Sequence, residues 1–232
     1  MMDIKIVYDF DKDKENYKYC LIDKAYPSYG RDEIKILPPS ASKLQTDLEL
    51  SLTPEEKSKI IDLYLSKNDK CLPFFEISAK SLSLAWEVIS KKYLEKLLKY
   101  LQINDYEILP VTCYLTTLKL CPYDRNRRYF YVPFYANIAD QMRIVVHELM
   151  HIIFLDNYQQ HLEEQGVANQ GILDISESLT VLLNLEFREF MLVEEINNKP
   201  STFDLQNIVK DEYNKKTSFK SILQILIQNR LL

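Results

Sequence analysis

The chain has 232 residues, of which 47% are hydrophobic and 27% charged, a composition typical of an ordered globular protein. Its formal net charge of −5 and pI near 5.4 provide no basic field for nucleic acid or anionic lipid, so neither partner is expected. Only 3 glycines occur, and neither glycine-rich phosphate-binding motif is found, which disfavours nucleotide folds built on such loops.

The start of the chain and its cysteines predict a cytoplasmic protein. The first residues, "MMDIKIVYDFDKDKENYKYC", are acidic where a signal peptide is basic, and no apolar run follows them. No stretch approaches the roughly 18 to 20 apolar residues that a membrane-spanning helix needs. The cysteines are scattered without a C-x-x-C pair and are expected to be reduced thiols: Cys20, Cys71, Cys113 and Cys121.

The first half of the chain predicts two short strands followed by two helices. The runs "DIKIVYDF" and "DEIKILPP" have strand composition. Thr53, Pro54 and Glu56 form the N-terminal signature of a helix, with a cap, a proline at the first turn and a glutamate three positions past the cap. After Pro73, a second helix is predicted to pack one face, made of Leu84, Val88, Leu94, Leu97, Leu98 and Leu101.

The second half predicts two strands and then a long apolar helix. The segments "YEILPVTCYLTTLKL" and "RRYFYVPFYA" are rich in β-branched and aromatic residues, and Pro110 and Pro133 favour edges or strand starts. Asn137 is a good cap for the helix that follows, with Asp140 near its positive end. The tail "SFKSILQILIQNRLL" predicts an amphipathic helix that packs on the domain.

The helix that begins at Asn137 carries the segment "HELMH". His147 and His151 are four positions apart, so both imidazoles lie on one stripe of the helix and can converge on one ion. Glu148 lies about 100° around the helix from His147, where it reaches a metal-bound water without binding the metal. The apolar residues around the motif predict a helix buried on nearly all sides.

An ordinary pair of buried histidines is the alternative interpretation of this segment. Each ring would then be hydrogen-bonded to a neighbour, and Glu148 would form a nearby salt bridge. With only 3 histidines in the chain, however, random placement produces this arrangement at a frequency on the order of one in several hundred. The motif therefore favours a zinc site, with Zn2+ as the expected cofactor.

The segment "HELMH" on an apolar helix after a β-rich segment resembles the zincin superfamily of zinc metallopeptidases. The resemblance covers about twenty residues and implies an α+β, zincin-like fold in which a mixed β-sheet packs against the helix carrying "HELMH" and a second helix supplies a ligand. We expect a single domain over residues 1–232, with a β/α portion to about 105, a metal-site portion over about 106–195 and a helical portion over about 196–232.

The third ligand distinguishes branches of this superfamily. Metzincins continue the motif to a glycine and a third histidine, but Phe154 and Asn157 occupy those positions, which excludes that branch. His161 is a weak candidate because the Asp156–Asn157 pair is expected to end the helix before it. The resemblance to gluzincins implies a glutamate on a later helix, and Glu177 interrupts the apolar pattern of "GILDISESLTVLLNLEFREF". The rival carboxylates are Asp174, Glu186, Glu163 and Glu164.

The resemblance implies hydrolysis of peptide bonds, with zinc held by His147, His151 and Glu177 and with Glu148 as general base. Asp174, one turn before Glu177, is a weaker candidate for orienting a ligand histidine through its free ring nitrogen. An extended peptide substrate is expected to add to the strand that precedes the helix. The alternative function is a metal-binding regulatory or interaction protein without efficient peptidase activity, because a fold and a site do not establish turnover.

Overall fold

A computed structural model describes residues 4–22, 44, 47–48, 50, 53–107, 109–195 and 200–231. The described residues form an α+β protein with a small mixed sheet, as the sequence predicts. They divide into two compact units. The sheet unit comprises the described residues of 3–85 and 110–141, and the helical unit those of 86–109 and 142–232. The expectation of a single domain stays a prediction. The predicted strand "DEIKILPP" lies outside the described residues.

The sheet unit contains a four-stranded sheet in the order β1-β2-β4-β3. The strands are β1 (Ile4–Tyr8), β2 (Val111–Thr116), β3 (Tyr123–Asp124) and β4 (Tyr129–Pro133). Strand β2 pairs in parallel with β1 and with β4, whereas the short β3 pairs antiparallel with β4. The two strands predicted in the second half, β2 and β4, are therefore central in the sheet. The expectation that prolines mark strand edges or starts is correct only for Pro110, which precedes β2. Pro133 ends β4 instead.

Strand β4 is also not the free edge expected to receive a peptide. It pairs with β2 along one side, and on the other side Tyr123 and Asp124 of β3 pair with its first two residues. The amide of Tyr131 continues this second side by donating to the carbonyl of Pro122 at 3.2 Å. Because these hydrogen bonds already use that backbone, β4 cannot accept an added strand there without losing its present partners.

Two helices of the sheet unit are α1 (Phe10–Leu21) and α2 (Pro54–Leu65). Helix α2 begins with the predicted capping box, in which the Thr53 hydroxyl accepts from the Glu56 amide and the Glu56 carboxylate accepts from the Thr53 amide. The unit's core joins the two helices through buried residues that include Tyr17, Leu21, Ile61, Leu65 and Leu118. A 3-10 turn over Ser66–Cys71 follows α2.

Helix α3 (Leu72–Tyr100) contributes residues to both units and begins before Pro73 rather than after it. Its predicted packed face is partly wrong, because Leu84 and Val88 are exposed. The later positions are buried as expected: Leu94, Leu97 and Leu101. In the middle turns, the buried positions are occupied by the aromatic side chains of Trp86 and Tyr93 rather than by Leu84 and Val88. The aromatic positions explain the error, because a leucine pattern alone placed the face on the wrong side of these turns.

The helical unit is built around α4 (Ile138–Glu164), whose first four residues belong to the sheet unit. The amide of Asp140 donates to the Asn137 side chain at 3.0 Å, which confirms the predicted cap. The helix continues past Asp156 and Asn157, contrary to the expected end. The Asn157 amide group donates back to the carbonyl of Ile153, and the apolar face continues to the buried Leu162, so neither polar residue terminates the helix.

Shorter helices complete the helical unit. They are α5 (Asn169–Leu179), α6 (Leu182–Leu185), α7 (Phe203–Asn214) and α8 (Phe219–Leu231), with 3-10 turns over Arg188–Phe190 and Pro200–Thr202. Helix α5 packs against α7 and α8, and the buried side of α8 confirms the predicted amphipathic tail. None of the helices in the described part of the chain combines the length and apolar composition that crossing a bilayer requires.

Candidate metal centre

Helix α4 positions the two histidines of "HELMH". His151 is buried, and the side chain of His147 keeps 16% of its exposure. The helix is buried on nearly all sides at this point, as the apolar sequence predicts, with Val145, Val146 and Leu149 fully enclosed. The Tyr93 hydroxyl of α3 donates to the carbonyl of Val146 at 2.6 Å. Tight packing on several sides therefore fixes the backbone from which the histidines project.

Three donor atoms converge on one point of the helical unit. The Nε2 atoms of His147 and His151 are 2.9 Å apart, and an Oε1 atom of Glu177 on α5 lies 3.6 Å from the Nε2 of His151. All three side chains offer an atom within 4.8 Å of the others, the one such group of potential metal ligands found in the described part of the chain. No protein-family model, curated protein or solved structure matches the chain. The chemistry of this centre therefore rests on its own geometry.

The Nδ1 atoms of the two rings face away from this point and contact different partners. His151 Nδ1 lies 2.7 Å from the hydroxyl oxygen of Ser176, the residue before Glu177 on α5. His147 Nδ1 lies 3.3 Å from a carboxylate oxygen of Glu195, an ion-pair distance whose geometry departs from that of an ordinary hydrogen bond. Two consecutive residues of α5 thus contact His151, Ser176 at Nδ1 and Glu177 at Nε2.

Asp174 was the sequence's candidate for such an orienting contact, and the structure gives that position to Ser176 and Glu195. The Asp174 carboxylate accepts from the Gln170 amide at 2.9 Å and pairs with the Arg230 guanidinium at 3.1 Å. The contact between Asp174 and Arg230 joins α5 to α8. Its contribution here is to helix packing.

The remaining rival ligands lie in other surroundings. His161 is exposed near the end of α4, ten residues and about 15 Å along the helix from His151. Glu163 and Glu164 are exposed and accept from the amides of Gln159 and Gln160. Glu186 pairs with Lys96 at 3.1 Å. Among the described carboxylates proposed from sequence, Glu177 is the one brought to the histidines.

Glu148 is buried beside the three donor atoms, with 7% of its surface exposed. Its Oε2 atom is fully buried and has no hydrogen-bond partner among the described residues. Burial raises the pKa of Glu148 to about 8, and the charges of Glu177 and Glu195 act in the same direction, against the lowering effect of His147 and Arg143. An unpartnered carboxylate oxygen in such a place indicates a position for a proton or a polar ligand.

His147 and Glu195 shift the pKa of each other in opposite directions. Burial alone would lower the pKa of His147, but the contact with Glu195 and the charges of Glu148 and Glu177 outweigh it and raise this pKa to about 9. Burial would raise the pKa of Glu195, but His147 and Arg143 outweigh it and lower this pKa. The contact between His147 and Glu195 therefore favours the charged form of each group.

Sequence patterns did not identify Ser176 or Glu195. The sequence did contain a signal for Ser176. It precedes Glu177 on one helix, so its side chain lies about 100° around the axis and can reach the other side of the His151 ring. For Glu195 no local signal existed, since it lies in an irregular segment outside any helix or strand. Its place next to His147 depends on the tertiary path of the chain after α6.

Proposed function

We propose that this chain is a zinc-dependent metallopeptidase of the zincin, gluzincin-like type. In this proposal His147, His151 and Glu177 bind the zinc, and Glu148 is the general base. The observation that carries the proposal is the convergence of two imidazole Nε2 atoms and one carboxylate oxygen beside a buried, unpartnered oxygen of Glu148. Peptide or protein chains are the proposed substrates.

The donor set is appropriate for zinc. Two imidazoles and one carboxylate form a ligand set typical of catalytic zinc, which keeps a fourth coordination position open. Ligand atoms at zinc-bonding distance in a tetrahedral site are about 3.3 Å apart. The separations of 2.9 Å between the histidine nitrogens and 3.6 Å between His151 and Glu177 bracket that value. The third separation, between His147 and Glu177, is within 4.8 Å, so these side chains would adjust on binding the ion.

The role of Glu148 follows from its burial and its neighbours. A zinc ion in this centre supplies Lewis acidity, which activates water and polarises the carbonyl of a peptide bond. Glu148 would accept a proton from the water whose oxygen bonds to the carbonyl carbon, and would transfer that proton to the amine nitrogen as the C–N bond breaks. A cation held by His147, His151 and Glu177 would favour the ionised form of Glu148, which is the form that accepts a proton.

The test is to measure zinc content and peptide cleavage in the same preparations. The wild-type protein and Glu148→Gln are each analysed for zinc and then incubated with a mixture of unstructured peptides, with cleavage followed by mass spectrometry. We expect about one zinc per chain in both proteins and cleavage that falls by a factor of about 10² to 10⁴ in the variant. The control is Glu163→Gln, which changes an exposed glutamate on the same helix, and it should cleave the peptides at the wild-type rate.

Each other result has a definite meaning. A protein that holds one zinc but cleaves no peptide is the metal-binding regulatory or interaction protein of the alternative. Equal cleavage by the wild type and Glu148→Gln would show that Glu148 is not the base. Loss of zinc from Glu148→Gln would make Glu148 a ligand, and a wild type without zinc affinity would remove the proposal altogether.

A further inference from the structure

We infer that Glu195 is a positioning residue for the metal centre: its carboxylate pairs with the Nδ1 side of the His147 ring at 3.3 Å and so keeps the Nε2 of that ring free for the metal. This inference rests on the proposed zinc site. It assigns a role to a residue in the irregular segment after α6, 48 positions beyond His147 in the chain. A histidine that binds a metal through one nitrogen is oriented by what accepts from the other.

The backbone of Glu195 is fixed by Asn184. The side-chain oxygen of Asn184 accepts from the Glu195 amide at 2.7 Å, and its side-chain nitrogen donates to the Glu195 carbonyl at 2.8 Å. One asparagine thus satisfies both main-chain polar groups of a residue that belongs to no helix or strand. This anchor does not involve the carboxylate, so a change of the Glu195 side chain leaves it in place.

The carboxylate of Glu195 is directed at α4 by two partners on that helix. Arg143 Nη1 lies 3.1 Å and 3.3 Å from its two oxygens, and His147 Nδ1 lies 3.3 Å from one of them. Arg143 and His147 are four positions apart on one face of the helix, so a single carboxylate reaches both. The side chain of Glu195 is only 3% exposed, and a carboxylate so buried needs such counter-charges to remain ionised.

The Nδ1 partners of the two histidines therefore differ in charge. Ser176 offers His151 a neutral hydroxyl oxygen, whereas Glu195 offers His147 a negative charge. A carboxylate that accepts from a ligand imidazole raises the basicity of its metal-binding nitrogen and fixes the ring orientation. Glu195 also adds a negative charge near a centre in which Glu177 is the one carboxylate among the three proposed ligands. We therefore expect Glu195 to contribute more to zinc affinity than Ser176 does.

The experiment measures zinc affinity by competition with a chelator in the full chain. Glu195→Gln retains the size of the side chain and removes its charge, and Glu194→Gln makes the same change at the adjacent, exposed glutamate. We expect zinc affinity to fall about 10-fold to 100-fold in Glu195→Gln and to stay within about twofold of the wild type in Glu194→Gln. Far-ultraviolet circular dichroism of the metal-free proteins checks that both variants fold.

Arg143→Met separates positioning from a merely structural ion pair. This variant removes the guanidinium partner of Glu195 but retains the contact with His147. If Glu195 acts through His147, Arg143→Met weakens zinc binding less than Glu195→Gln does. An equal loss in the two variants would overturn the inference, because the ion pair rather than the histidine contact would then explain the effect.

A spectroscopic signature provides the second readout. The chain has 3 histidines, so ¹⁵N-labelled imidazoles in the zinc-loaded protein give few signals to assign. The Nδ1 proton of His147 should be protected from exchange in the wild type and in Glu194→Gln, and should exchange faster in Glu195→Gln. Wild-type zinc binding with no change of affinity or exchange in Glu195→Gln would refute the inference alone, whereas a wild type that binds no zinc would refute the proposed function.

Discussion

Asp13 in the sheet unit and Glu148 in the helical unit are both buried carboxylates, but their hydrogen bonding differs. Both oxygens of Asp13 accept hydrogen bonds, at 2.6 Å from the Thr116 hydroxyl and at 3.0 Å and 2.8 Å from the amide and hydroxyl of Thr117. The Oε2 of Glu148 accepts from none of the described residues. Burial raises the pKa of both groups, although the bonds to Asp13 oppose the increase.

The difference separates a carboxylate whose hydrogen bonds connect elements of the fold from one whose buried Oε2 lacks such bonds. The bonds to Asp13 join α1 to the end of β2, and Asn16 on the same helix adds a bond of 3.0 Å to the Thr116 hydroxyl. Such a network stabilises the sheet unit because every buried polar atom in it has a partner. The Oε2 of Glu148 has no comparable bonds among the described residues, which fits the proposed role of Glu148 as a base.

The largest expected effect concerns the histidines on either side of Glu148. His147→Ala or His151→Ala should reduce zinc content from about one per chain to a background level, because a catalytic site with three protein ligands does not hold zinc well on two. His161→Ala, at the exposed end of the same helix, is the matched control and should keep its zinc. Elemental analysis after dialysis measures all three, and full occupancy in either of the first two variants would mean that the zinc is not bound by these histidines.

Much of this centre could be predicted because its determinants are local. The spacing of His147, Glu148 and His151 is a property of one helix, and so is the capping box at Thr53 that begins α2. The partners of the rings are not local: Ser176 is 25 positions from His151 and Glu195 belongs to an irregular segment. The same limit explains the error at β4, where pairing with β3 requires a register that no run of residues encodes.

The second expected effect tests the ligand contributed by α5. Glu177→Ala should weaken zinc binding by about 100-fold or more, because loss of a direct ligand exceeds the 10-fold to 100-fold typical of outer contacts. The same change at other carboxylates should have smaller effects, since none of them reaches the histidine nitrogens: Glu163, Glu164, Asp174 and Glu186. Chelator competition gives the affinities, and an equal loss at any of the four would move the third ligand away from Glu177.

The third expected effect tests the other side of the comparison. Asp13→Ala removes the acceptor of several buried donors and should lower the free energy of unfolding by roughly 2 to 3 kcal/mol. Asp11→Ala changes an exposed residue in the first turn of the same helix and should lower it by less than about 1 kcal/mol. Urea denaturation of the metal-free proteins measures both. Equal effects would mean that the bonds to Asp13 add nothing beyond the charge at the start of α1.

The smallest expected effect is the stability of metal-free Glu148→Gln, which should not fall as Asp13→Ala does. Burial raises the pKa of Glu148 from 4.5 to about 8 in the folded chain, so the folded state retains a proton that the unfolded state releases. The associated stability is present below pH 4.5 and is lost as the pH rises through 8. Glutamine cannot ionise, so the variant avoids this loss, and its stability relative to the wild type should be greater at pH 8 than at pH 5.

Urea denaturation at the two pH values measures this difference, with Glu163→Gln as the exposed control on the same helix. The control should follow the wild type at both pH values, because its carboxylate is solvated in the folded and unfolded chains alike. A Glu148→Gln variant less stable than the wild type at pH 8 would mean that the Glu148 carboxylate has stabilising partners in the folded chain. It would then be a structural group like Asp13, and its burial would no longer indicate a base.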